Sequence, residues 1–283
     1  MIPARVIIAY FSPTGGTKKV ALALKDGCSA ALVQQVKTPS FTIKLPTTEV
    51  PVTTFNCLTA KSRHKDLQLT ANDLFILAYP VYFGRMPWAL SEWPALKGNG
   101  ATAVVVSVYG NRAIEDGERE TMMLLKEHGF KVVGAIEAIA EHSQERTLAQ
   151  GRPDEQDQAD FKTIAAQLLT AIKQGLPEFE FDATTPLKTP GKAPAVPRIL
   201  ERQRCDDCGR CARMCPMQII DPDTLEVPED KAHLCMGCRA CMAVCKLDCR
   251  GLPPQVMAAV AARMAQIKAA NPERKPNVLK LAH

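Results

Sequence analysis

The sequence is poor in aromatic residues, has no long apolar run and carries no strong excess of either charge. Aromatics make up 5% of its 283 residues, with two tryptophans and four tyrosines, so its core must be mainly aliphatic. No stretch approaches the roughly 20 apolar residues that a membrane-spanning helix needs. Lys and Arg number 35 against 30 Asp and Glu, and no long basic run occurs, so nucleic acid is not an expected partner. The apolar part of Met1–Tyr10 is too short for a signal peptide and leads into a glycine loop, which points to the cytoplasm. With 46% hydrophobic and 23% charged residues, the composition excludes wholesale disorder and collagen. Two glycine fingerprints are also missing, G-x-x-x-x-G-K-[ST] and G-x-G-x-x-G. Gly98-Asn99-Gly100 precedes a strand rather than a helix, so no dinucleotide fold is implied.

What the chain does have is cysteine. Nine of its 11 cysteines fall between Cys205 and Cys249; Cys28 and Cys57 lie elsewhere. In a reducing compartment such crowding indicates metal rather than disulfides.

Residues 1–175 alternate strand and helix. Arg5–Tyr10, Asp73–Tyr79, Ala101–Val108 and Lys131–Ile139 are short apolar runs suited to buried strands. Helices fit Lys18–Lys25, 112–128 and 156–174. A weak second strand is placed at 32–36, and 37–70 is read as an irregular, threonine-rich excursion. The alternation implies a parallel sheet covered on both faces. Residues 176–197 hold five of the 21 prolines and read as a stiff, extended linker. The cysteine-rich segment spans 198–252. A final helix is expected at about 253–270, in a C-terminal region, 253–283, whose basic tail should fray.

Cys205-x-x-Cys208-x-x-Cys211-x-x-x-Cys215 recurs as Cys235-x-x-Cys238-x-x-Cys241-x-x-x-Cys245. In such runs the first three thiolates hold one cubane and the fourth crosses to the other. Cys205, Cys208, Cys211 and Cys245 are therefore expected on one [4Fe–4S] cluster, and Cys235, Cys238, Cys241 and Cys215 on a second. Zinc sites use separated C-x-x-C pairs instead. The segment resembles two-cluster bacterial ferredoxin domains. Pro216 follows Cys215 as in that pattern, but Lys246 follows Cys245, which leaves Cys249 open as a substitute ligand or a packed free thiol. Arg204, Arg210, Arg213 and Arg239 lie beside or inside the runs; they either raise the cluster potentials or point to solvent. Met214, Met217, Met236 and Met242 are expected to pack round the clusters.

Ser12-Pro13-Thr14-Gly15-Gly16-Thr17 lies between the first strand and helix. Hydroxyls, exposed amides and a helix N-terminus suit a phosphate monoester. Pro80-Val81-Tyr82-Phe83-Gly84 and Tyr109-Gly110-Asn111-Arg112, with Ser107 before them, follow the carboxyl ends of later strands, where open α/β sheets bind ligands. The first loop resembles the phosphate loop of flavodoxins. With Glu141-His142-Ser143 and Gly151-Arg152-Pro153-Asp154, the chain resembles proteins of anaerobes that fuse a flavodoxin-like domain to a ferredoxin domain.

That resemblance implies a doubly wound, five-stranded parallel sheet of order 2-1-3-4-5, followed by an α+β two-cluster ferredoxin domain. It implies FMN, with Ser12, Thr14, Gly15, Gly16 and Thr17 on the phosphate. The other two loops would face the ring. His142 or Arg152 would contact flavin, substrate or the docked second domain, unless that loop is merely tied down by its own charges. The expected activity is electron transfer between FMN and two [4Fe–4S] clusters. The partner would be a redox protein (a ferredoxin, flavodoxin or reductase), and a homodimer is open. Alternatives are a flavin-dependent reductase of a small substrate or quinone, with His142 catalytic, and a redox sensor or docking module.

Overall fold

The computed structural model describes residues 2–36 and 50–283. β1 (Arg5–Tyr10), β2 (Val52–Asn56), β3 (Asp73–Pro80), β4 (Thr102–Tyr109) and β5 (Lys131–Ile139) form a parallel sheet in the order 2-1-3-4-5. Period-two alternation divides the strand residues between two cores. Val6, Ile8 and Tyr10 face α1 (Gly16–Val36) and α4 (Glu155–Gln174). Ile7 and Ala9 face the layer containing Trp93, Phe130 and α3 (Gly117–Glu127).

Three expectations change. Residues 32–36 are the end of α1, not a strand. Nothing stops that helix after Lys25: Val20, Ala21, Leu24, Cys28 and Ala31 keep helical spacing and are buried. Gly27 sits inside it because a Cβ there would come 2.9 Å from the Phe161 carbonyl of α4. The edge strand is instead β2, whose exposed Thr53 and Thr54 disguise it as loop. The expected excursion falls partly at 37–49, outside the described residues. Its remainder holds β2 and the short α2 (Ala60–Arg63), capped by Thr59. Third, the basic tail does not fray. β8 (Val278–Leu281) pairs antiparallel with β5 and adds a sixth strand to the sheet. Asn277 anchors it, its Oδ1 accepting from the Ile139 N–H at 2.9 Å.

The cysteine-rich segment is built from short pieces: β6 (Arg198–Ile199), α5 (Arg210–Met214), α6 (Ala240–Ala243) and β7 (Arg250–Gly251). β6 and β7 pair antiparallel. Residues 176–197 form no helix or strand and lie along the first domain. The Phe179 N–H donates to the Val132 carbonyl at 2.8 Å, and Arg119 holds the Thr185 carbonyl at 2.6 Å. α7 (Pro254–Ala269) follows. Met236, 2% exposed, belongs to the same core layer as Tyr79, Leu90 and Trp93, so the two halves share one apolar seam.

Candidate functional site

The loops at the carboxyl ends of β1, β3, β4 and β5 enclose a cleft of about 570 Å³. Thr14, Gly16 and Thr17 line it at one end, and Thr17 is 3% exposed. Gly15 has φ +97°, which favours glycine there. Ser12 turns instead to its own helix, where its Oγ accepts from the Lys18 N–H at 2.9 Å. Pro80, Val81, Tyr82, Phe83, Gly84, Tyr109, Gly110 and Arg112 line the remainder. Two expected ring-side residues are engaged elsewhere. Ser107 is buried against the Tyr79 hydroxyl at 2.6 Å. Asn111 donates to the carbonyls of Asn271 and Glu273 at 3.2 and 2.7 Å, tying down the chain after α7.

The far wall was not anticipated. Lys188, Gly191, Lys192 and Pro194 come from the proline-rich segment, Met236 and Gly237 from the second cysteine run, and Val260, Arg263, Met264 and Ile267 from α7. The spacing of Val260, Met264 and Ile267 was a visible signal for a helix stripe, but nothing said what it would cover. Gly191 permits the approach, since a Cβ there would lie 2.6 Å from the Phe83 ring.

His142 lines the cleft beside Gly110, where a Cβ would come 2.4 Å from its ring. Its Nδ1 lies 3.1 and 3.2 Å from the backbone N–H groups of Gln144 and Glu145. Both are donors, so Nδ1 accepts and the proton sits on Nε2. Burial and the charge of Arg239 hold the imidazole below its usual pKa. Arg152 pairs with Asp157 at 2.5 Å, at 4% and 0% exposure, and does not line the cleft. Glu141 pairs with Arg146 at 2.5 Å.

The cysteines fall into two groups. Cys215, Cys235, Cys238 and Cys241 line one apolar cavity with Met217, Ile219, Ile220 and Met236. Burial raises the Cys235 and Cys238 thiols and pushes Cys241 up to about 11. Thiolates there need positive charge beside them. Cys205 is close enough to Cys211 and Cys249 for its charge to be felt by both. Cys249 Sγ lies 3.5 Å from Cys245 Sγ, and burial raises its thiol to about 12. Cys249 therefore touches Cys245 of the first expected ligand set and feels the charge of a second member, Cys205. Among the described residues no three His, Cys, Asp or Glu side chains converge as ligands of one metal ion. A cubane, by contrast, takes one thiolate at each iron corner. Two buried guanidinium atoms, Arg239 Nη2 and Arg250 Nε, have no partner among the described residues, which fits an anionic cluster beside them. Tyr82 is near enough to Cys238 and Arg239 to feel both charges.

Residues 198–246 match the 4Fe–4S dicluster domain family. The chain joins a flavodoxin-like domain to a 4Fe–4S dicluster domain. The strand order 2-1-3-4-5 carries the first half of that statement. Solved structures similar to the flavodoxin-like half are distant. An archaeal flavodoxin is 12% identical, covers 60% of this chain and 99% of its own, and has a TM-score of 0.38. Flavodoxin 2 from Bacillus cereus is 17% identical over 60% and 99%, with a TM-score of 0.36. A Fusobacterium nucleatum flavodoxin bound to flavin mononucleotide is 19% identical over 62% and 98%, with a TM-score of 0.36. No curated protein matches the chain. No helix among the described residues is long and apolar enough to cross a membrane.

Proposed function

We propose that the flavodoxin-like/dicluster chain is an electron-transfer protein carrying one FMN and two [4Fe–4S] clusters, and that it exchanges electrons between one- and two-electron carriers. When bound, FMN takes up two electrons and each cluster one. Thr14, Gly16 and Thr17 would hold the phosphate. Tyr82, Phe83, Tyr109 and Gly110 would flank the ring, with the His142 Nε2–H available to donate to its edge or to a substrate. Cys215, Cys235, Cys238 and Cys241 would hold the cluster nearer the flavin. Cys205, Cys208, Cys211 and Cys245 would hold the outer one, with Cys249 beside it.

One observation carries this reading. Met236, between Cys235 and Cys238, lines both the cysteine cavity and the cleft of the flavodoxin-like loops. In this reading one buried side chain, that of Met236, would stand between the two cofactors. The α7 stripe and the proline-rich segment close the cleft from outside, leaving the second cysteine run as its inner wall.

The test compares Cys238→Ser with Cys208→Ser, each checked for FMN content. A reduced ferredoxin serves as one-electron donor in stopped flow. Cys238→Ser is expected to slow flavin bleaching by more than about tenfold, because it disables the adjacent cluster. Unchanged bleaching in Cys238→Ser would remove the proposed route.

A further inference from the structure

We propose that Arg250 is a charge shared by the two iron–sulfur clusters, placed so that it raises the reduction potential of both. The inference rests on the two-cluster reading above. Arg250 opens β7, one residue after Cys249, outside both cysteine runs. It is 3% exposed. Its Nη1 donates to the Leu225 carbonyl at 2.6 Å and its Nη2 to the Pro197 carbonyl at 2.9 Å. Those two carbonyls fix the plane of the guanidinium. Nη1 then lies 3.9 Å from Cys211 Sγ, a member of the first ligand set. Cys211 packs in one apolar cluster with Cys215, Cys235 and Cys241 of the second set, and the charge of Arg250 is felt at Cys241 and Cys235 as well.

Its charge is poorly balanced by the protein. The nearest carboxylate, Glu226, lies 4.0 Å from Nη2 and is 45% exposed. Nε is buried with no hydrogen-bond partner among the described residues. A guanidinium cannot shed its proton, so it stays cationic in the interior. Burying such a charge is costly unless an anion accompanies it. Thiolate-bound clusters are such anions, and reduction adds one more negative charge to each. A fixed cation between them favours that step, and the dry surroundings weaken its screening. The arginines beside the first run differ. Arg202 and Arg204 are about half exposed and paired with Asp207 and Glu201, so solvent and salt damp their effect.

The test uses the full chain, purified anaerobically, with Arg250→Gln and Arg250→Lys. Iron and sulfide counts come first, because fewer than two clusters in the unaltered protein would refute the two-cluster reading rather than this inference. Midpoint potentials of both clusters are then read by EPR-monitored titration. Poised at the unaltered midpoints, Arg250→Gln should lower the reduced-to-oxidised ratio of both clusters at least tenfold, about 59 mV for one electron. Arg250→Lys should retain most of the effect. Potentials unmoved in Arg250→Gln, or moved at one cluster alone, would overturn the proposal. If Arg250→Gln fails to load iron, spin-echo modulation on the unaltered protein grown with ¹⁵N-arginine decides. Guanidinium coupling to both reduced clusters, lost from both in Arg250→Lys, supports the shared charge; coupling to one or neither overturns it.

Discussion

Arg63 Nη2 donates to the carbonyl of Pro216, the residue after Cys215, at 2.7 Å. Arg63 closes α2 of the flavodoxin-like half and is 1% exposed. The same guanidinium also holds the carbonyls of Cys57 and Leu58, at 3.2 and 2.8 Å. One buried cation thus fastens the turn after a cluster-ligand candidate to the sheet domain. Burial pulls its pKa down, yet it has several carbonyl acceptors to satisfy it.

Arg63→Ala should therefore loosen the seam between the halves. Hydrogen bonds to a charged group are worth about 1.5–3 kcal/mol, and stranded carbonyls add to the loss, so a cost on the order of 3 kcal/mol is expected. Thermal unfolding followed at the iron–sulfur absorbance should show the cysteine-rich half released first. An unaltered melting profile would contradict the role assigned to Arg63.

Gly110→Ala should displace His142, because the new Cβ would meet the imidazole ring at 2.4–2.7 Å. FMN affinity, measured by fluorescence quenching on reconstitution, should fall at least about tenfold. Gly151→Ala is a control in open space, although its φ of +76° brings backbone strain of its own.

His142 should be neutral at pH 7 with its proton on Nε2. Its pKa in the folded chain lies below the usual value, first because it is buried and then because Arg239 is near. The neutral form is the one the fold favours. Its stabilisation is present above the unfolded pKa of about 6.5 and is lost as pH falls through the folded value. The protection factors of the 140–148 amides, corrected for intrinsic exchange, should thus fall on acidification below about pH 6.5. Histidine ¹⁵N chemical shifts report the tautomer directly, and an Nδ1–H form would contradict it.

Asp157→Asn should release β8. Burial works against the Asp157 carboxylate, but Arg152 and the Asp154 N–H more than compensate, so its pKa lies below the ordinary value. Asn277 Nδ2 also donates to it at 2.8 Å, linking α4 to the last strand. Leaving Arg152 buried without its partner costs about 3–5 kcal/mol. For a depressed carboxylate the stabilisation holds above the unfolded pKa of about 3.9 and disappears as pH falls through the folded value. Hydrogen exchange of the Val278–Leu281 amides should rise sharply in Asp157→Asn at pH 7. Unchanged protection would show that β8 is held by its sheet pairing alone.

Much of this architecture is legible in the residues. The apolar runs at β1, β3, β4 and β5 announce themselves because strands buried on both faces are continuous in Val, Ile, Leu and Ala. Cys215, Cys235, Cys238 and Cys241, which the spacing groups together, line one cavity. β2 was hidden because an edge strand with exposed Thr53 and Thr54 has no apolar signature. β8 was hidden because Val278, Leu279 and Leu281 are too few to read against a basic tail. Asn111 and Ser107 have the right chemistry for a ring-side loop, but tertiary hydrogen bonds engage them elsewhere. Arg250 lies outside both runs, so no motif points to it. The far wall of the cleft depends on how three distant segments dock, which no local pattern encodes.

One FMN and two clusters in electronic contact on one chain would share every electron the protein takes up. The most direct test is an anaerobic reductive titration of the purified protein with dithionite, followed at flavin and iron–sulfur absorbance together. The expected result is uptake of about four electrons per chain, two by flavin and one by each cluster. Uptake of about two, with no flavin bleaching, would leave the clusters and contradict the cleft as an FMN site.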